Sequence, residues 1–260
     1  TYDLPAGNQY LITYRIYRDG VVNVNVKFTQ TDREAEKTEV LEDTNLATFT
    51  PGKKVKKKDV LEVPRIGVRF RIPHVMNRVE YFGRGPVENY VDRNAGSMVG
   101  RYKTSAEEMY VNYVRPQENG HRTDTRWVSF TNTAGRGLLV LAEKTVGFNA
   151  LRNTVEDFDS EESSHPYQWR NRSPKEVAGK NEAEAKSVLR RMTHVNDIVP
   201  RDFVEVCIDM KQQGVAGYDS WGAKVQPGYT IPANRDYVWG FTLIPVKNVG
   251  DVNKSLRYTY

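Results

Sequence analysis

Ile12-Thr13-Tyr14-Arg15-Ile16-Tyr17-Arg18-Asp19-Gly20-Val21-Val22-Asn23-Val24-Asn25-Val26-Lys27-Phe28 is the stretch that decides the fold class of this protein. Ile12, Tyr14 and Ile16 fall on one face of an extended segment. Val22, Val24, Val26 and Phe28 fall on one face of the next, with Asn23, Asn25 and Lys27 opposite. Side chains alternate across a strand with period two, so each run reads as a strand with one face buried. Asp19-Gly20 lies between them, and a glycine there supplies the positive φ that hairpin turns favour.

The same period returns further along. Ile66, Val68, Phe70 and Ile72 alternate with Arg69 and Arg71, and Tyr237, Trp239, Phe241 and Leu243 make one apolar face. Val79–Phe82, Arg126–Thr131, Gly137–Leu141, Phe203–Met210 and Tyr237–Ile244 read as further strands. Short strands divided by turn residues, without βαβ alternation or a fixed repeat, predict an all-β antiparallel sandwich or barrel. Residues 156–192 depart from the pattern. Asp157, Asp159, Glu161, Glu162, Arg170 and Arg172 make a polar insertion. Ser173-Pro174-Lys175-Glu176 then reads as a capping box, and Ala185, Val188, Leu189 and Met192 follow at helical spacing. One helix is expected from about Pro174 to Met192 within a single sandwich domain over residues 1–260.

The totals narrow the function. A net charge of +5 is the difference between 38 basic and 33 acidic residues, and Lys53–Lys58 is the one basic run. Nucleic-acid binding needs a larger one-sided patch, so the run reads as a solvated loop. Cys207 is the sole cysteine, which rules out an intrachain disulfide, and it alternates with Val206 and Ile208 as a buried small hydrophobe would. No run approaches the ~18 apolar residues of a membrane helix. His74, His121, His165 and His194 lack metal-ligand spacing. Thr1-Tyr2-Asp3-Leu4 looks like an excised start, so the compartment, cytoplasmic or periplasmic, stays open. No nucleophile elbow, P-loop or dinucleotide fingerprint is present in the sequence.

Three polar clusters carry the candidate chemistry. In Val79–Arg93, Glu88 and Asp92 could serve as acid and base, or could cap turns and pair with Arg84 and Arg93. The second reading is favoured. In Arg115–Arg122, Glu118 and His121 could exchange a proton with a ligand, or hold their loop by hydrogen bonds. In Gly217–Gly222, Trp221 is either an exposed platform for the flat CH face of a sugar or an indole folded back on the sandwich. Residue types alone leave that choice even.

Pro64-Arg65-Ile66-Gly67, Arg78–Arg93, Met109–Gly120 with Arg122, and Asp219-Ser220-Trp221 together resemble the C-terminal "small chain" β-sandwich domain of LacZ-type family 2 β-galactosidases, over roughly residues 10–245. The resemblance implies a large antiparallel supersandwich akin to the galactose mutarotases, truncated here on its N-terminal side. It implies retaining hydrolysis of terminal β-D-galactosides such as lactose, by two glutamates on a TIM barrel of the same polypeptide. No catalytic residue is therefore expected among these 260, which alone would be inactive. Trp221 matches the residue that lines the leaving-group end of the cleft, and Asp219, Glu118, Asn119 and His121 are weaker substrate-binding candidates. Mg or Na ions would bind elsewhere in the full enzyme, and the resemblance leaves room for a homo-oligomer. The 156–190 insertion and the loop Gln212–Tyr218 depart from the best-known members. Two rival readings are a stand-alone carbohydrate-binding or mutarotase-like module and a purely structural or oligomerisation domain.

Overall fold

A computed structural model describes residues 1–4, 7–30, 62–114, 116–158, 195–219 and 221–248. Its strands are β1 (Tyr2–Asp3), β2 (Gln9–Ile16), β3 (Val22–Thr29), β4 (Arg65–Pro73), β5 (Arg78–Gly85), β6 (Met98–Ser105), β7 (Arg122–Thr131), β8 (Gly137–Leu151), β9 (Phe203–Gln212) and β10 (Tyr237–Val246). All pairings between them are antiparallel. The main path runs β1-β2-β3-β10-β8-β7-β5-β6, and the pair β4-β9 branches from β8. The all-β sandwich is thus as expected. Among the described residues the helical turns are short 3-10 pieces such as Val155–Phe158 and Pro227–Tyr229. The helix expected over 174–192 and the basic run Lys53–Lys58 lie outside the described residues.

The branch is made by one long strand. The first half of β8 pairs with β10 from Gly137↔Val246 to Ala142↔Phe241, and its last residues, Gly147–Leu151, pair with β9. Between them the ladder to β7 slips: Thr125 faces Val146 while Trp127 faces Leu141, so residues 142–145 bulge against Arg126. A bulge bends a strand and increases its twist, which lets β8 leave one layer and enter the other. The core fills the space between the layers. Val24, Val26, Val128, Phe130 and Phe241 from the main path meet Ile66, Val204, Val206 and Ile208 from β4 and β9. Each such side chain contributes about 1.5–3 kcal/mol by leaving water.

The hairpin at Asp19-Gly20 forms as expected, with Gly20 at φ 84°. One expected face behaves differently. Ile12 packs on the core, but Tyr14 and Ile16 are exposed. β1 pairs only two residues of β2, Tyr10 and Gln9, so the far half of β2 is an uncovered edge among the described residues.

Candidate functional site

The outward face of β9 is polar and yet buried, beneath the arginines of β4. On β9, Val204, Val206 and Ile208 enter the core, so the alternate residues Glu205, Cys207 and Asp209 face the other way. Register places Arg71 opposite Glu205, Arg69 opposite Cys207, and Gly67 opposite Asp209. Arg65 grips Asp209 with two parallel hydrogen bonds, Nε to Oδ1 and Nη2 to Oδ2, both 2.8 Å, and its Nη1 donates to Glu118 Oε1 at 2.6 Å. Arg69 reaches Glu156 at 2.7 Å and Glu205 at 3.3 Å. A fork of guanidinium donors fits a carboxylate in this way, and lysine would not reproduce it.

Burial decides the protonation of this floor. Burial pushes the Asp209 carboxyl up to about 6, because the neighbouring Arg65 offsets only part of the cost of losing water. Burial also works against the Arg65 charge, but Asp209 and Glu118 outweigh it and hold the guanidinium above its ordinary value. The Cys207 thiol is pushed well up by burial, which makes it a poor nucleophile. Above the floor lies a cleft of about 880 Å³. One wall carries Glu156 on the Val155–Phe158 turn, which Asp157 fixes by accepting from the Thr154 N–H at 3.0 Å and pairing with Arg201 at 2.5 Å. The other wall is the 212–225 loop.

That loop is pinned at Ala216 from both sides of its peptide. Asp92 Oδ2 accepts the Ala216 N–H at 2.8 Å, and an Arg93 guanidinium nitrogen donates to the Ala216 carbonyl. Ala216 and Gly217 both have positive φ, 53° and 76°, which turns the backbone sharply. Asp219 Oδ1 then accepts from the N–H groups of Trp221 (2.8 Å) and Ala223 (3.1 Å). The product is an indole 93% exposed, on a loop whose backbone is held by side chains. Asp92→Ala is expected to loosen this loop and to speed proteolytic cleavage within 213–225 by about tenfold, the equivalent of ~1.4 kcal/mol of local opening. Limited proteolysis followed by mass spectrometry checks this, and an unchanged cleavage rate would show that the Asp92 contact does not hold the loop.

A family model described as beta galactosidase small chain matches residues 1–243. The protein belongs to that family. A β-galactosidase of Priestia megaterium is 38% identical over 185 residues, which cover 71% of this sequence and 15% of the relative. One from Halalkalibacterium halodurans is 29% identical over 183 residues, covering 70% and 15%. One from Vibrio cholerae is 30% identical over 173 residues, covering 66% and 13%. The 260 residues therefore span about 15% of the length of the first of these curated relatives.

In this β-galactosidase small-chain domain the candidates named from sequence go to different places. Trp221 stands in solvent, and Asp219 shapes the turn beneath it. Glu118 sits at the cleft beside Arg65. Asn119 is buried, with Oδ1 accepting from the Val111 N–H and Nδ2 donating to the Gln117 carbonyl. His121 is also buried. It stacks on Tyr90 at 5.6 Å, and its Nδ1 lies 3.9 Å from Asp209 Oδ2. Burial lowers the His121 pKa well below the ordinary value, helped by Arg65 and Arg122, so the ring is neutral. Glu118 and His121 thus converge on the Arg65–Asp209 pair and share no open face.

Glu88 accepts from the Tyr113 hydroxyl and, at 2.8 Å, from the Gly120 N–H. Like Asp92, it ties loops together. The partners expected for these carboxylates differ: Arg84 pairs with Asp124 at 2.5 Å, and Arg93 holds a carbonyl. Sequence reasoning does not reach Arg65 and Asp209 as site residues. Within the strands their signal is charge at alternate positions of otherwise apolar runs, and Arg65 also falls in one of the motifs that carry the resemblance. Among the described residues, no group of three His, Cys, Asp or Glu side chains is placed to hold a metal ion.

Proposed function

We propose that this protein is the C-terminal domain of a family 2 β-galactosidase, which hydrolyses terminal β-D-galactosides such as lactose with retention, and that it completes the substrate cleft by presenting Trp221 to the leaving group. The observation that carries the reading is the indole itself. A 93% exposed Trp on a loop fixed by Asp92, Arg93 and Asp219 keeps a large apolar ring in water, where a partner or ligand would cover it. Stacking on a sugar's CH face would bury the ring without needing a charge.

A retaining glycosidase needs two carboxyls ~5–5.5 Å apart across the sugar. The carboxylates that stand out in the sequence have other work: Glu88 and Asp92 hold loops, and Glu118 pairs with Arg65. This supports a domain without the catalytic glutamates, which would belong to a TIM barrel in the rest of the polypeptide along with any Mg or Na ions. The mutarotase-like alternative requires Glu118 and His121 to face one ligand, and the buried, neutral His121 does not favour it.

In the assembled enzyme, Trp221→Ala is expected to raise KM for lactose about tenfold, the loss of ~1.4 kcal/mol of binding, with kcat within about twofold. The isolated domain is expected not to hydrolyse nitrophenyl galactoside. Parent kinetics in the variant would remove Trp221 from the substrate cleft, and turnover by the isolated domain would overturn the reading as a whole.

A further inference from the structure

The cleft beside the Trp221 loop has no role in that reading, and its floor is not what stability alone would select. Asp209 and Glu205 are 1% and 4% exposed. Paired charges in such a place are often replaceable by apolar residues of similar volume at no loss of stability. Here the Arg65–Asp209 pair underlies an open volume of about 880 Å³, within the range of small-molecule sites.

The chemistry of the lining selects a ligand class. The cations Arg65, Arg69 and Lys224 stand against the anions Glu62, Glu118, Glu156 and Asp209. An anionic ligand would meet four carboxylates. A cationic one would compete with guanidiniums already held at 2.6–2.8 Å. A hydroxyl group suits the place better, because it can donate to a carboxylate and accept from a guanidinium or amide N–H at once. Amides line the cleft as well, at Gln117, Gln212 and Gln213. Gln212 Oε1 is buried without a hydrogen-bond partner, an acceptor that a ligand O–H would satisfy. Val155, Val215 and Val225 give aliphatic wall for CH groups.

From this geometry we infer that the cleft floored by Arg65, Asp209 and Glu118 binds a neutral polyhydroxylated molecule of monosaccharide size, at a site separate from the Trp221 platform. The site belongs to the domain itself and goes beyond the role proposed for Trp221.

Calorimetric titration of the 260-residue protein with D-galactose and D-glucose tests it. At least one of the two sugars is expected to bind saturably, with Kd near ~1 mM and little dependence on salt, because a neutral ligand is not screened. Trp221→Ala should leave that Kd within about twofold. Gln212→Leu should weaken it about fivefold or more, through loss of the acceptor. Val215→Trp, which fills the cleft from a half-exposed wall position, should abolish it and stands in where Gln212→Leu fails to fold by circular dichroism. Absence of saturable binding of both sugars overturns the inference. So does binding that Trp221→Ala removes and the cleft variants leave intact, or binding of galacturonate in preference to galactose. The kinetic test of Trp221 in the assembled enzyme is independent of every one of these results, so either idea can fail alone.

Discussion

Arg65→Leu is expected to destabilise the protein by about 3–5 kcal/mol, and by more near pH 8 than near pH 5. The substitution leaves Asp209, 1% exposed, in place without its bidentate partner. Glu118, which loses the same partner, is a quarter exposed and can turn to water, so the cost sits on Asp209. The pH dependence follows from the direction of the Asp209 shift. Its folded pKa is raised from 3.8 to about 6, so the folded state holds the proton more tightly than the unfolded state does. That contribution to stability is fully present below the unfolded value and is lost as pH rises through the folded one. Removing Arg65 takes away the group that lowers the folded pKa, which moves it higher still and extends the loss above pH 6. The gap between parent and variant therefore widens with pH. Urea unfolding at the two pH values measures it. Adding Asp209→Asn should recover much of the loss, since no charge is then left buried. A gap independent of pH, or one that Asp209→Asn fails to narrow, would mean that Asp209 does not carry the effect.

Part of this architecture is legible in the sequence and part is not, for physical reasons. Val22–Phe28 and Tyr237–Leu243 alternate because each lies on a sheet with one face in the core. Val22–Phe28 emerges as a strand one residue longer, and the strand read over Tyr237–Ile244 runs two residues further. β6 has little apolar period to find, because its half-buried face carries Gly100, Tyr102 and Thr104, of which only Tyr102 packs on the core. The local pattern ends β8 at Leu141. The strand runs on to Leu151 because it changes layers through a bulge, and the second half is paired with a strand more than fifty residues later, which no local pattern records. Trp221 can be singled out by residue type and surroundings, but its exposure depends on how Asp92 and Asp219 fold the loop. Asp209 is harder. In Val204–Met210 it reads as an ordinary outward polar position, and only the loops that close over that face turn it into the buried floor of a cleft.

Gly67→Ala puts the same floor under test from the backbone side, and the expected loss is about 3 kcal/mol or more. A Cβ on Gly67 would lie 1.9 Å from Asp209 Oδ1 and 2.9 Å from both Asp209 Cγ and the Ile208 carbonyl oxygen. The position is glycine because the Asp209 carboxylate occupies the space where a side chain would begin. The Gly67 carbonyl also accepts the Tyr10 hydroxyl at 2.9 Å, which ties β4 to β2 and discourages the strand from shifting aside. Gly228→Ala is the control: a Cβ there meets nothing within 4 Å, so a change within about 0.5 kcal/mol is expected. The decisive measurement is the double variant. In an Asp209→Ala background the 1.9 Å clash is gone and the 2.9 Å approach to the Ile208 carbonyl remains, so Gly67→Ala should cost less by about 1–3 kcal/mol without becoming free. Strict additivity of the two substitutions would place the cost of Gly67→Ala in the β4–β9 backbone. A strong coupling would instead mean that this glycine is there to let a buried carboxylate reach Arg65, and that strand spacing, ion pair and cleft floor are set by one contact.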